Sequence, residues 1–172
     1  MLKLIGAAMV VAASGLGGLA VAGNYSRRPR ELRTLRSALQ MLETEVVYSA
    51  THLPEALARV AGNCDRLVEP LFSRAAAEFA ASTGITAANA WENALIHYYP
   101  GTALKPQDLS ILRSLGSSLG RSDREDQVKH LHLAMEQIKS AMAGAEEEAA
   151  RNVKLWSYLG FLGGLITVLV IY

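Results

Sequence analysis

This chain of 172 residues holds one cysteine, Cys64, so no internal disulfide can form and cysteine usage gives no sign of an oxidising compartment. An excess of charge is also lacking. Seventeen Lys and Arg stand against sixteen Asp and Glu, a balance that gives no reason to expect nucleic acid as a partner. There is no P-loop, no H-E-x-x-H, no cysteine pair at zinc spacing and no G-x-S-x-G elbow, so the common signatures of nucleotide, zinc and serine-nucleophile chemistry are missing. No segment alternates apolar and polar side chains in the manner of a half-buried strand. No cofactor or metal is expected.

Charge is also nearly absent from two stretches, and there the lack is informative. Apart from Lys3, residues 1–23 and 155–172 are apolar or small. Each is close to the ~20 residues that a helix needs to cross ~30 Å of hydrocarbon. The spacing predicts a two-pass hairpin: a transmembrane helix over 1–23, a polar domain over 24–154 and a second transmembrane helix over 155–172. A signal peptide is the rival reading of the first stretch, since Ala20-Val21-Ala22 has the small residues of a cleavage site. Arg27, Arg28, Arg30, Arg33 and Arg36 follow at once and favour a retained anchor, because flanking positive charge holds a segment on the cytoplasmic side. With Arg151 and Lys154 before the second stretch, they place the middle domain in the cytoplasm. Tyr25, Trp156 and Tyr158 fall where amphipathic rings prefer to lie, at the inner interface. Small residues recur at four-residue spacing, Ala13 with Gly17, Gly18 with Ala22 and Gly160 with Gly164, a pattern that lets membrane helices approach closely. No ionisable residue lies deep in either stretch, so the chain anchors or scaffolds rather than transports.

The polar middle reads as helices throughout. Leu32, Leu35, Leu39, Leu42 and Val46 make one apolar seam on a helix from Pro29 to about Ser49. A second helix starts at Leu53-Pro54 with Leu57, Val60 and Ala61 inward, and ends near Gly62-Asn63. A third covers Val68 to Ala81, burying Leu71, Phe72, Ala75 and Phe79. Thr86 caps a fourth through Trp91, Leu95 and Tyr98. The fifth runs from Pro106 to about Gly120 with Leu109, Leu112, Leu115 and Leu119 inward. Ser122 and Glu125 match a capping box for the sixth, which carries Val128, Leu131, Met135, Ile138, Met142 and Ala145 and continues into the second apolar stretch. The expected architecture is all-α: an antiparallel six-helix bundle between two transmembrane helices at the termini.

Candidate chemistry is sparse. His130 and His132 are two apart on a helix and project to different faces, as do Glu43 and Glu45, so neither pair suits a shared metal or proton. Glu146, Glu147 and Glu148 read as a wet helix face, and Tyr48, Trp91, Tyr98 and Tyr99 as core or near-core rings. The start of the sixth helix is more distinctive. If its end enters the bilayer, a helix of about 30 residues, ~45 Å long, holds its start far from the membrane. Arg121, Asp123, Arg124 and Gln127 there are the candidate partner-binding residues, and the far end of the first helix, around Tyr48 to Pro54, is the next candidate for that remote region. Arg124 runs against the positive end of the helix dipole, which points to a carboxylate facing it.

Several blocks in order carry a resemblance: Met1-Leu2-Lys3-Leu4-Ile5-Gly6-Ala7, Arg30 to Tyr48 with Leu42-Glu43-Thr44-Glu45, Leu53 to Leu57, Ala90-Trp91-Glu92, Leu119 to Glu125, Lys129-His130 and Leu159 to Gly164. Across nearly its whole length the chain resembles the stage III sporulation protein AB family of endospore-forming bacteria. The resemblance implies a helical domain similar to the F-type platform proteins of type II secretion and pilus machines. It also implies a non-enzymatic place in the transenvelope complex joining mother cell and forespore, in the mother-cell membrane, with the cytoplasmic ATPase stage III sporulation protein AA as partner. Secretion platforms of the F type usually carry two such domains and more spans. A static membrane tether or interaction scaffold is the alternative to a mechanical platform.

Overall fold

The computed structural model describes residues 23, 25–47, 52–81, 84–120 and 124–171, with the backbone alone at 124, 157, 160, 161, 164, 165 and 167–171. Every regular element among them is helical. In chain order they are α1 (Arg27–Val47), α2 (Leu53–Asn63), α3 (Glu69–Ala81), α4 (Ala87–Tyr98), a 3-10 turn (Tyr99–Gly101), α5 (Pro106–Ser118) and α6 (Arg124–Ile171). No strand occurs among the described residues.

Local chemistry sets the boundaries. Pro54 sits in the first turn of α2 and Pro106 opens α5, where the missing N–H would be unpaired anyway. The Thr86 hydroxyl accepts the Asn89 N–H at 3.2 Å, the expected cap of α4. At α5 the Asp108 carboxylate reaches back to accept the Lys105 N–H at 2.8 Å and is buried in doing so. Helix α1 begins two residues before Pro29, which falls inside its first turn rather than opening it. The last helix is unbroken for 48 residues, about 72 Å, and passes through Gly144 without interruption.

The chain divides into two compact units, Arg30–Met142 and Met1–Pro29 with Ala143–Tyr172. In the first, α2 packs on α3, α3 on α4 and α4 on α5. The seam of α1 is buried at all five expected positions, Leu32 to Val46, and the four inward leucines of α5 and its exit are buried as well. On α6, Leu131, Met135 and Ile138 are buried, whereas Val128 and Met142 are half-buried, as are Phe79 on α3 and Ala61 on α2. Trp91 is the largest fully buried side chain. Its ring meets Phe72 edge-on with centroids 5.6 Å apart, and its indole Nε1 donates to the Leu112 carbonyl at 2.8 Å, so α4 is tied to both α3 and α5. Gly116 on α5 is where that indole lies; a Cβ there would overlap the ring at Cδ1.

In the second unit Ala145 and Ala149 are buried, and Arg28 reaches Glu148 at 3.5 Å. Leu155, Trp156, Tyr158, Leu159, Leu162 and Ile166 are exposed. Among the described residues no helix is long and apolar enough to cross a membrane. The first expected span, with Gly17 and Gly18, lies outside the described residues, and of Gly160 and Gly164 only the helical backbone is described.

Candidate functional site

The candidate docking region is built on the turn that leads into α6. Leu119 is buried, and Gly120 follows with φ +74°, a left-handed conformation that glycine adopts without strain. A Cβ on Gly120 would come within 2.9 Å of the Ala87 Cβ and 4.0 Å of Leu53 Cδ2. The start of α2, the start of α4 and the exit of α5 therefore meet at one glycine. The sequence ranks 121–127 and 48–54 as separate candidates, and the structure brings Leu53 to Gly120, the residue before the first of them.

Of the four proposed contact residues only Gln127 has a described side chain; it is half-buried and engaged. Arg121 and Asp123 lie outside the described residues with Ser122, as does the side chain of Arg124, whose backbone opens α6. Glu125 and Asp126 are both exposed in the first turn, where carboxylates suit the helix dipole, and Asp126 meets Lys129 at 3.1 Å. Tyr48 lies outside the described residues and His52 is exposed.

Elsewhere the polar groups mainly bind elements together. Glu31 is 3% exposed, and its carboxylate accepts the Ala103 N–H at 2.7 Å, joining the start of α1 to the connection before α5. His132 meets Glu43 at 2.8 Å, and Arg59 bridges Glu55 at 2.8 Å and Glu45 at 3.3 Å. Glu43 and Glu45 are thus held by different partners, as their two-residue spacing requires. Glu55 first, and Glu45 after it, raise the Arg59 guanidinium further into its charged range. Tyr98 is buried, and its hydroxyl has no hydrogen-bond partner among the described residues. Burial, then the nearby Glu31 carboxylate, pushes its phenol above the ordinary tyrosine range. Burial likewise raises the Cys64 thiol, which keeps it protonated and a poor nucleophile at neutral pH. Glu31 and Asp108 are the polar residues that sequence reasoning passed over. Asp108, three residues after Lys105 and just behind Pro106, carried a legible first-turn signal; Glu31 carried none.

Open hollows occur among the described residues of the Arg30–Met142 unit. One of about 470 Å³ lies between α2 and α3 and is lined by Pro54, Ala58, Ala61, Ala76, Ala77 and Ala80 with Glu55 and Ser73. Two of about 280 Å³ share Met41, one reaching Cys64 and Asp65, the other Arg59 and Asn63. Linings of this kind offer shape and apolar contact. No group of three or more metal-ligating side chains gathers among the described residues.

Comparison with known proteins agrees on one family. The profile of the family "Stage III sporulation protein AB" matches residues 3–172. Stage III sporulation protein AB of Bacillus subtilis (strain 168) is 37% identical over 171 residues, covering 99% of each chain. A solved structure of a stage III sporulation protein AB superposes with a TM-score of 0.67 at 34% identity, over 72% of this chain and 97% of that one.

Proposed function

Because the chain belongs to the stage III sporulation protein AB family, we propose that it is a membrane-anchored, non-enzymatic platform subunit of the transenvelope complex between mother cell and forespore. In this reading the helical domain faces the mother-cell cytoplasm and docks the ATPase stage III sporulation protein AA through the entry to α6, with Arg121, Asp123, Arg124 and Gln127 as contacts. The two apolar stretches pass through the membrane, and Gly17, Gly18, Gly160 and Gly164 pack them against each other or their neighbours.

The observation that carries the reading is α6 itself. One unbroken helix supplies Leu131, Met135 and Ile138 to the core of the Arg30–Met142 unit and continues through the exposed apolar stripe to Ile171. An element of that kind transmits displacement where a flexible connection would dissipate it. Within the Arg30–Met142 unit the Glu43–His132 pair supports the packing of α1 on α6.

Titration of the full chain in detergent against the ATPase tests the docking surface. Asp123→Ala and Arg124→Ala are expected to weaken binding with the helical spectrum unchanged; equal affinity in both variants removes these residues from the interface. A flexible linker placed between Ala150 and Leu155 tests the coupling. Lost sporulation with ATPase binding retained is expected for a mechanical platform, whereas full sporulation identifies a tether. Crosslinking from cysteines introduced at 121–127 maps the contact, and the raised, half-buried Cys64 thiol keeps the background low.

A further inference from the structure

The basic side chains of α6 are not equivalent. Lys129 and Lys139 lie 3.1 and 3.4 Å from carboxylates of their own helix, and Glu148 is taken by Arg28 at 3.5 Å. Arg151 and Lys154 are exposed and have no carboxylate at ion-pair distance among the described residues, although Glu147 stands one turn before Arg151. Two unneutralised cations thus sit one turn apart, immediately before the aromatic and aliphatic end of the helix.

The side chains that follow are ordered. Arg151, Leu155, Tyr158, Leu162 and Ile166 recur at steps of three and four, so they share one helix face, with Lys154 at its edge. All are exposed, Tyr158, Leu162 and Ile166 by more than half. At 1.5 Å per residue Tyr158 lies ~10 Å along the axis from Arg151, and Ile166 ~12 Å further on. Along this face charge gives way to a phenol and then to aliphatic side chains, the same sequence of polarity met on going from phosphate through glycerol to acyl chain.

We infer that the Arg151–Lys154–Tyr158 face of α6 is a binding site for an anionic phospholipid. The guanidinium fork and the ammonium hold the phosphate, Tyr158 lies at the level of the glycerol, and Leu155, Leu159 and Leu162 flank the acyl chains. Charge complementarity selects an anionic head. The aliphatic continuation selects a lipid over free phosphate or an acidic peptide, neither of which would use it. The inference rests on the reading of residues 155–172 as membrane-embedded and goes beyond it by naming the lipid class and the residues that choose it.

Trp156 makes this measurable, since it is exposed and only ~3 Å along the helix axis from Lys154, at the depth of the proposed head group, whereas Trp91 is buried in the other unit and supplies an unquenched baseline. The full chain is reconstituted in bilayers mixing phosphatidylcholine and phosphatidylglycerol, with one or the other carrying brominated acyl chains, and Trp156 quenching gives their relative occupancy. Brominated phosphatidylglycerol is expected to be preferred, by on the order of fivefold for each basic residue engaged. The double variant R151Q/K154Q is expected to bring the preference to about one with the helical spectrum intact. Equal quenching by both lipids in the unaltered chain overturns the inference and leaves the membrane reading standing. Quenching by neither overturns both. Arg30→Gln removes an exposed charge from the other unit; an equal loss of preference there would reduce the effect to diffuse charge and overturn the site. Loss of the preference on adding inorganic phosphate at constant ionic strength would make it a site for the free ion instead.

Discussion

Helix α4 and the distal part of α6 are both rich in apolar side chains and dispose of them in opposite ways. On α4, Ala90, Trp91, Ala94 and Leu95 are almost wholly enclosed by α3 and α5. On α6 beyond Lys154, Leu155, Leu159, Leu162 and Ile166 stay exposed. Enclosing a leucine or isoleucine is worth about 1.5–3 kcal/mol. In α4 that gain comes from the chain itself. In α6 it has to come from the surroundings, and the proposed bilayer supplies it. An apolar helix thus reports on its solvent as well as on its fold, and substitutions in the two regions should separate cleanly.

The largest effect is expected at Trp91. Trp91→Ala empties the space beside Phe72 and leaves the Leu112 carbonyl without its indole donor. Truncation of a buried aromatic typically costs about 3–5 kcal/mol, to be read as a lower urea midpoint for the full chain in detergent, with its partition into membranes unchanged. Leu162→Arg should do the reverse. A central arginine opposes membrane insertion by about 2.5–3.5 kcal/mol, so more chain is recovered in the soluble fraction, while unfolding of the Arg30–Met142 unit keeps its midpoint. A lowered midpoint in Leu162→Arg would break the comparison, because it would mean that Leu162 is enclosed by the chain after all.

Gly116→Ala sharpens the same contrast. In an exposed helix this change gains roughly 1 kcal/mol. Here the new methyl overlaps the Trp91 ring, and overpacking of this kind costs about 1–3 kcal/mol. The sign of the change in urea midpoint therefore distinguishes a packed glycine from a tolerated one. Its role was invisible in the sequence, where no local pattern singles out Gly116. The slot exists only because Trp91, on another helix, folds back over it. The burial of Glu31 was hidden for the same reason, since its partner Ala103 is 72 residues away. What was legible is what repeats or acts locally: the leucine seams of α1 and α5, the Thr86 cap, the end of α2 near Gly62-Asn63, the end of α5 near Gly120 and the continuity of α6. The meeting of Leu53, Ala87 and Gly120 is a long-range packing event, and no local pattern in the sequence marks it.

The smallest effect is expected where an ion pair does the same topological work as Trp91. Arg113 reaches Glu92 at 2.8 Å and so also joins α5 to α4, a short contact of good geometry. Both side chains are more than a third exposed, however, so water and salt already stabilise the separated charges. Two flexible side chains must also be ordered to form the pair. Arg113→Ala should therefore cost under about 1 kcal/mol, and less as salt is raised. A loss comparable to that of Trp91→Ala, persisting in high salt, would mean that the α4–α5 contact is held by charge and not by the enclosed indole. The comparison between enclosed and exposed apolar faces would then misplace the source of the domain's stability.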